Sequence, residues 1–488
     1  MSRPASPAVA ATLSFILPGL GQLTSGGRRR GLLVMVPAAA VFVGGVAVGV
    51  AGPAAVADVL LRPEMLVAFL ALNVALAAYH VIAIVDAFRL ARGWRERPPA
   101  GRAGRVVLVA LLTATLTIHG ALEVVGYQAY DAFESIFAPE EPGDGWVIPE
   151  PSFDPEPSAS PVLSPSPSQS APSPFLSPAP SLSPSASPSP TAKPRTKPAW
   201  ARNGRLDVLL IGSDAGPDRW SLRTDTMIVL SIDTSTKRAA LFGIPRNMVG
   251  VPLPPESASA FKDGRFPGLL NALYVYAMGH PAKFPGGDAR GFRAVSGAVQ
   301  ELVGVRLDGV VVVNLAGFVR LVDSVGGLWI DVPMRLVDRA YPLEDGSGHI
   351  RLDIRPGCQL LDGRMALAYA RSRRQDSDYG RMRRQQQVLV ALARQVDPLE
   401  LAPKVPRLLK IAKENLWTTI RRSDVKDLAG LAARVDVRRV KTVLFVPSRY
   451  PSHLTTSEIA RIRKVVRTVF DGLKPAAAPS PSQRSDCP

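Results

Sequence analysis

The chain has 488 residues, of which 47% are hydrophobic and only 20% are charged, and its formal net charge is +17. The mean hydropathy of +0.12 is typical of a protein with membrane segments and excludes a single soluble domain. Two cysteines cannot build a disulfide framework, and the five histidines have no spacing that suits a zinc site.

Three runs near the amino terminus are almost free of charged side chains. They cover about 31–51, 65–85 and 106–127. Because the core of a bilayer needs roughly 20 apolar residues in a helix, each run is predicted to span a membrane. Residues 8–23 are also apolar, but a Pro-Gly-Leu-Gly turn interrupts them, which predicts an interfacial or re-entrant segment. Residues 1–137 are thus interpreted as an all-α transmembrane region.

Arginines orient the three predicted spans. Arg28, Arg29 and Arg30 precede the first span, and the 86–105 loop carries six more arginines. Positive residues favour the cytoplasmic side of a membrane. Three crossings then put everything after Tyr127 outside the cell. The chain is predicted to be a multi-pass protein of the cell membrane with an extracellular last domain.

Residues 138–198 differ sharply in composition from their neighbours. Within them, residues 151–190 contain 13 prolines and 14 serines. A segment of this kind cannot bury enough apolar surface to fold, so we expect a disordered extracellular linker. Residues 475–488 are predicted to be a disordered tail.

Residues 199–474, here called the outer domain, carry 43 basic and 27 acidic residues, a net charge of +16. Such a domain suits a polyanionic partner. Short apolar runs predict strands at 206–213, 227–232, 239–244, 310–313, 328–332 and 443–446. Amphipathic patterns predict helices at 288–303, 316–325, 363–373, 380–396 and 455–473. Buried strands alternating with helices predict an α/β fold, a three-layer α/β/α domain with a mixed central sheet.

Charged side chains follow or precede the predicted strands of the outer domain. Asp214 ends the first strand, Arg223 and Asp225 begin the second, and Arg246 ends the third. Polar groups at the ends of buried strands form a typical ligand crevice. Carboxylates beside guanidiniums suit a divalent cation that bridges phosphate oxygens. The alternative is that these residues form only strand-end salt bridges.

A second cluster lies in the sequence AYARSRRQDSDYGRMRRQQQ, residues 368–387. It holds six arginines, which repel one another unless an anion or acidic groups compensate their charge. Arg381 and Gln385 are four residues apart and share a helix face. A nucleic-acid surface is disfavoured because of the predicted outside location and because no base-stacking aromatic residues are interleaved with the arginines.

Several motifs of the outer domain occur in one order. They are LLIGSD (209–214), RTDTMIVLSID (223–233), ALFGIPRN (240–247), LLNALYVYAMGHP (269–281), VVVNLAGFVRLVDSVGGLWIDVP (311–333), RPGCQLLDGRMALAYARSR (355–373) and DSDYGRMRRQQQVL (376–389). This series resembles the LytR-CpsA-Psr family of cell-wall assembly proteins over about 205–470.

The resemblance implies a membrane-anchored phosphotransferase. The enzyme would move a glycopolymer, such as a teichoic acid or arabinogalactan, from a polyprenyl-diphosphate carrier onto peptidoglycan, with no nucleic-acid partner. Asp214 and Asp225 would hold Mg²⁺ or Mn²⁺ against the diphosphate, and Asp225 would also take part in catalysis. The implied phosphate-binding residues are the catalytic arginines and one glutamine, namely Arg223, Arg246, Arg371, Arg373, Arg381 and Gln385. Arg374 and Arg383 are expected to point to solvent.

Two positions depart from the family pattern. Asn247 stands where the family commonly has Asp, and Leu269 stands where it often has Lys. Either change could weaken contacts to phosphate or metal. Asp225 and Asp378 are the candidate general bases. Two alternatives stay open, namely a pyrophosphatase that uses water as acceptor and a non-catalytic binder of anionic wall polymer.

Overall fold

The computed structural model describes residues 5–50, 63–93, 101–137, 199–214, 223–343, 348–375, 377–396, 404–472 and 487. The predicted linker at 138–198 lies outside the described residues. The predicted tail at 475–488 also lies outside them, except for Cys487.

Five helices form the amino-terminal region. They are α1 (Pro7–Ile16), α2 (Leu20–Thr24), α3 (Arg28–Val50), α4 (Pro63–Arg92) and α5 (Arg102–Ile136). The last three contain the stretches that are long and apolar enough to cross a membrane, at Arg28–Ala47, Glu64–Arg92 and Arg102–Ile136. These helices suggest membrane anchoring.

The apolar segment at 8–23 folds back instead of continuing as one helix. Gly19 adopts a φ of 101°, a left-handed conformation that glycine takes without steric cost, between α1 and α2. The Gln22 amide then donates to the backbone oxygen of Ala83, at 2.9 Å, and to Asp86, at 3.1 Å. Both acceptors belong to α4, so this segment is fixed to the second long helix. Its interfacial or re-entrant placement stays a prediction.

The outer domain contains all the strands among the described residues. The strands are β1 (Arg205–Ser213), β2 (Thr224–Asp233), β3 (Ala239–Gly243), β4 (Val249–Pro252), β5 (Arg265–Leu269), β6 (Gly309–Asn314), β7 (Leu328–Val332), β8 (Leu336–Pro342), β9 (His349–Ile354), β10 (Gly357–Leu361), β11 (Leu416–Thr418) and β12 (Lys441–Leu444). The helices are α6 (Ala199–Asn203), α7 (Pro255–Ala258), α8 (Leu273–Gly279), α9 (Arg290–Val303), α10 (Leu315–Val325), α11 (Gly363–Arg371), α12 (Asp378–Gln395), α13 (Val405–Asn415), α14 (Val425–Ala432) and α15 (Thr456–Arg467).

Six strands form the central sheet, in the order β11-β6-β1-β2-β3-β12. β1 is parallel to β6, and β3 is parallel to β12. The pairs β1–β2, β2–β3 and β6–β11 are antiparallel. The sheet is therefore mixed, as predicted.

Helices cover both faces of this sheet. Side chains alternate along each strand, so each strand contributes apolar residues to a core on either face. From β1, Leu209 and Ile211 join the large core built with α8, α9 and α15. Leu206 and Val208 join a smaller core on the other face, with Trp200 and Leu431 of α6 and α14. The predicted three-layer α/β/α architecture is confirmed.

A second core stands beside the sheet, formed by β7 to β10 with α10, α11 and α12. The apolar run at 328–332 forms a strand, β7, but it pairs with β10 outside the central sheet. Glutamine side chains of α12 satisfy its other edge. Gln395 accepts from the Trp329 N–H and donates to the Trp329 oxygen, both at 2.8 Å, and Gln387 donates to the Asp331 oxygen. Side chains thus replace a neighbouring strand and attach α12 to β7.

The two cysteines of the chain are far apart in sequence and form a disulfide. Cys358 of β10 and Cys487 form a disulfide with Cα atoms 5.7 Å apart, across 129 residues of sequence. The sequence excluded a framework of several disulfides, and this single link closes one large loop around α11 to α15.

Loss of this disulfide is expected to destabilise the outer domain. Closing a loop of this size removes chain entropy from the unfolded state, worth up to about 5 kcal/mol. Urea unfolding of residues 199–488 checks this with and without a thiol reductant, and Cys358→Ser should match the reduced protein. Equal midpoints for the oxidised and reduced forms would contradict the expectation.

Candidate functional site

The candidate site lies where β1 ends and β2 begins. Asp214, only 7% exposed, directly follows β1. Its N–H donates to the Arg223 oxygen at 3.2 Å, and the Arg223 N–H donates to the Asp214 carboxylate at 2.7 Å. These two hydrogen bonds fix Asp214 beside the start of β2, and the Arg223 side chain is exposed.

Asp225 lies in a break of the β1–β2 pairing. Gly212 pairs with Thr226 and Ser213 pairs with Thr224, so Asp225 is an extra residue in β2. Such a β-bulge changes the direction of a side chain at the end of a ladder. It follows that the Asp225 side chain does not have the direction that regular alternation along β2 would give it.

Arg246, which follows β3, is the partner of Asp225. Its guanidinium lies 2.5 Å from the Asp225 carboxylate. Asn271 supports both residues, because its N–H donates to the Arg246 oxygen at 2.9 Å and its side chain bonds Asp225. Burial raises the pKa of Asp225, but Arg246, Arg381 and Asn271 outweigh it and hold that pKa below its usual range. Asp225 is therefore ionised at neutral pH.

The amino terminus of α12 brings a third carboxylate to this point. Ser377 caps the helix by accepting from the Gly380 N–H, and Asp378 occupies its first turn. The Asp378 carboxylate lies 3.1 Å from the guanidinium of Arg381, 3.5 Å from that of Arg246 and 3.8 Å from that of Arg373. Asp378 therefore joins α12, the end of β3 and the segment after α11.

Arg381 is the most deeply buried cation of this group. Its side chain is 4% exposed, and its Nε has no hydrogen-bond partner among the described residues. Burial lowers the pKa of Arg381 to about 10, with Asp378 opposing the change and Arg246 adding to it. The side chain stays protonated at neutral pH, so the site keeps a buried charge with an unused donor.

Gln385 lies one helical turn beyond Arg381. Its amide donates to the Thr226 hydroxyl at 2.8 Å, next to Asp225 in β2. Arg381 also donates to the Asp225 backbone oxygen, at 3.4 Å. The predicted common face of Arg381 and Gln385 thus packs over the start of β2.

The other arginines of the cluster divide into three environments. Arg371 donates to the Tyr341 hydroxyl at 3.3 Å and lies over its ring. Arg373 is half exposed at the edge of the site. Arg374 is 66% exposed and Arg383 is exposed, as expected.

Arg384, which the sequence did not single out, binds backbone oxygens of its own domain. It is buried and donates to the backbone oxygens of Tyr369, at 2.7 Å, and of Ser372. These bonds hold the end of α11 against α12. Arg384 therefore supports the segment from which Arg373 projects.

The sequence-based site set missed Asn271 and Thr226, and it treated Asp378 only as a possible base. A signal existed for Asn271, because it lies in the LLNALY motif. Asp378 and Ser377 together form a recognisable helix start. No sequence signal indicated that Asp378 would contact three arginines.

Asp214 and Asp225 are the residues of the site that could hold a hard divalent cation. Asp214 and Asp225 supply carboxylates, and buried oxygens of Thr224 and Asn247 lack hydrogen-bond partners among the described residues. Within the same part of the chain, no group of three or more His, Cys, Asp or Glu could hold a metal ion. Mg²⁺ suits such a sparse set, since it commonly keeps water and substrate phosphate as ligands. Asn247 retains an oxygen at the position where the resemblance led us to expect Asp.

Positive charge exceeds negative charge at this site. Ion pairs join the guanidiniums of Arg246, Arg373 and Arg381 to the carboxylates of Asp225 and Asp378, three guanidiniums for two carboxylates. An anion with several oxygens would neutralise the excess and accept from the unused Arg381 donor. The arrangement therefore favours a phosphate or diphosphate ligand.

A model of the LytR_cpsA_psr family matches residues 182–451, more than half of the chain. Biofilm regulatory protein A of Streptococcus mutans is 27% identical over 220 residues, 44% of this chain and 49% of that protein. The polyisoprenyl-teichoic acid–peptidoglycan teichoic acid transferase TagV of Bacillus subtilis is 27% identical over 223 residues, 45% of this chain and 51% of that protein. The chain thus spans about half the length of these curated relatives.

A crystal structure of B. subtilis TagV is also similar. It is 22% identical to this chain, and the match covers 55% of this chain and 97% of that one, with a TM-score of 0.40.

Arg381→Lys is expected to weaken anion binding much more than Arg383→Lys. Lysine keeps the charge but loses the planar fork, and a hydrogen bond to a charged group is worth about 1.5–3 kcal/mol, or roughly tenfold or more in affinity. The exposed Arg383 should have almost no effect. Calorimetric titration with inorganic pyrophosphate and Mg²⁺ checks this, and equal losses for both variants would indicate a diffuse basic surface.

Proposed function

The chain belongs to the LytR_cpsA_psr family, and we propose that its outer domain is a cell-wall glycopolymer transferase. The substrate would be a glycopolymer on a polyprenyl-diphosphate carrier, and the acceptor would be peptidoglycan. The transferase names of several relatives support this, including those of Bacillus subtilis and Enterococcus faecalis. The new bond would be a phosphodiester, which makes the enzyme a phosphotransferase.

One observation carries the proposal, namely the buried Arg381 guanidinium with its unused Nε donor. Burying a cation beside other cations is unfavourable unless an anion completes its contacts. Arg246 and Arg373 lie around the same Asp378 carboxylate and would share that anion. A diphosphate offers enough oxygens to bind these guanidiniums together.

Asp214 and Asp225 would hold Mg²⁺ or Mn²⁺. When bound, the metal ion supplies charge neutralisation on the diphosphate oxygens. Arg246 keeps Asp225 ionised, and metal binding requires an ionised carboxylate. The same low pKa makes Asp225 a weak base, so we assign it to metal binding.

In the proposed step, a hydroxyl oxygen of peptidoglycan attacks the phosphorus that carries the glycopolymer. A new P–O bond forms, the bond to the bridging oxygen breaks, and polyprenyl phosphate leaves with those electrons. Arg246, Arg373 and Arg381 stabilise charge on the phosphate oxygens. A loose phosphoryl transition state needs little help from a base, so the hydroxyl proton passes to water late in the step.

The proposed location is the outer face of the cell membrane. Three long apolar helices and the arginines beside them support a multi-pass anchor with an extracellular outer domain. The proposed carrier is itself a membrane lipid, so an anchored enzyme would meet it at the surface.

Asp214→Ala and Asp225→Ala are each expected to lower transfer by about a hundredfold or more, because a poorly held cation cannot neutralise the diphosphate. The exposed Asp288 supplies a matched control, and Asp288→Ala should keep full activity. The assay follows polymer joined to peptidoglycan from a lipid-linked donor.

Three outcomes of this assay would contradict the proposal. Full activity in EDTA would exclude the metal role. Release of polymer phosphate at equal rates with and without peptidoglycan would indicate a pyrophosphatase. Binding of donor without any turnover would indicate a non-catalytic binder.

Labelling with a membrane-impermeant thiol reagent tests the topology. We expect Ser170→Cys in the linker to react in intact cells, and Ala100→Cys in the 86–105 loop to react only after the cells are opened. The native cysteines are paired with each other and serve as an internal background. The reverse labelling pattern would place the outer domain inside the cell.

A further inference from the structure

The carboxyl-terminal end of α5 packs against the outer domain. The last residues of α5 and its C-cap, 128–137, follow the membrane span that the sequence predicts at 106–127. This helix contacts α13 and the short edge strand β11. Ala132, Phe133 and Ile136 are buried there, at 2%, 3% and 6% exposure. The contact therefore has an apolar centre, although 61 residues (138–198) separate the two parts in sequence.

Oppositely charged side chains surround this apolar centre. Lys413 of α13 pairs with Asp131 of α5. Arg422 pairs with Glu134 at 2.6 Å and donates to the Phe137 oxygen at 3.3 Å. The acids lie on α5 and the bases on the outer domain, so the two surfaces are complementary. Exposed ion pairs contribute little energy individually, so the apolar side chains hold the contact and the charges set its orientation.

The position of these pairs in the sheet gives the orientation. Leu416, which begins β11 directly after α13, pairs with Val313 of β6. The next residue of β6, Asn314, pairs with Ser213, the neighbour of Asp214. Lys413 thus lies at the end of the strands where the candidate site is, here called the site edge. Because β11 runs antiparallel to β6, Arg422 lies beyond its other end, toward the opposite edge.

The order of the partners along α5 gives the direction relative to the membrane. Asp131 is closer to the predicted span than Glu134 and Phe137 are. With a helical rise of 1.5 Å per residue, the segment from residue 127 to 137 reaches only about 15 Å beyond that span. The site edge is paired with the nearer residue, so it is the membrane-proximal edge of the outer domain.

We propose that the end of α5 is a docking surface for the chain's own outer domain, and that docking holds the diphosphate site toward the membrane surface. The inference rests on the proposed function only for the identity of the ligand, a membrane-held diphosphate. The excess positive charge of the site faces the headgroups, where anionic groups collect. The linker then connects the two parts without setting the distance over which the enzyme works.

Chemical cross-linking of the full-length chain in membranes tests the docking. Asp131→Cys is combined with Lys413→Cys, and a protease site is inserted in the linker. The Cβ atoms of a paired lysine and aspartate lie farther apart than those of a disulfide, so the cross-linker is a short bismaleimide. We expect the two fragments to stay joined after cleavage. The native disulfide lies wholly within the outer fragment and cannot join them.

Lys441→Cys replaces Lys413→Cys in the matched control. Lys441 is exposed on β12. β12 and β11 are the two outer strands of the central sheet, five strand spacings or about 24 Å apart. This pair should not cross-link. Equal cross-linking of both pairs, or of neither, would overturn the docking.

Charge reversal tests its consequence for activity. The double variant Lys413→Glu with Arg422→Glu should lose about tenfold of its transfer from a carrier in vesicles, because a freely tethered domain meets the surface less often. Transfer from a water-soluble short-chain carrier should not change, which shows that the site still folds. Adding Asp131→Lys and Glu134→Arg should restore the vesicle activity.

The outcomes separate the docking from the proposed function. Equal losses with both carriers, or no restoration by the compensating pair, would overturn the role of docking. If the Asp131→Cys, Lys413→Cys variant cross-links as expected but the wild-type chain transfers no polymer from either carrier, the proposed function fails while the docking stands. If the wild-type chain transfers polymer but the double-cysteine variant does not cross-link, the docking fails alone.

Discussion

The central constraint on this structure is the burial of the Arg381 guanidinium among other cations. Asp378 is the shared counterion, within 3.8 Å of the guanidiniums of Arg246, Arg373 and Arg381. Asp378 and Asp225 are two carboxylates for these three guanidiniums, and Arg381 keeps an unused donor. Desolvation makes this arrangement costly without an anion. The site is thus prepared for a ligand with several negatively charged oxygens.

The rest of the outer domain holds these charges in place. β2 presents Asp225 through a bulge, β3 leads directly to Arg246, and α12 places Asp378 in its first turn. The second core fixes α12 from behind through the glutamine bonds to β7 and the Arg384 bonds to the end of α11. Positions close to the chemistry therefore depend on packing that lies outside the central sheet.

Two kinds of electrostatics act in this chain. Inside the site, low solvent exposure makes each charge strongly dependent on its partners, as the lowered pKa values of Asp225 and Arg381 indicate. On the surface, the excess of basic residues is screened and acts mainly by attracting anionic partners. In the proposed docking, the contact between α5 and α13 would link the two, because it would turn the basic end of the site toward the membrane.

The sequence by itself determined the features that depend on local pattern. Hydrophobic runs predicted the three long helices and the buried strands. The ordered motifs indicated the family, and strand ends pointed to Asp214, Asp225 and Arg246. These signals are readable because helix and strand periodicity and strand termini lie within short stretches of chain.

Only the tertiary structure decided which of these groups meet. The bulge at Asp225, the support from Asn271, the place of β7 outside the sheet and the Cys358–Cys487 link all join residues far apart in sequence. The ion pairs of Asp378 and the contact between α5 and the outer domain do so as well. The physical reason is that hydrogen bonds and ion pairs act over a few ångströms of space. The separation of two residues along the chain does not determine whether they come that close.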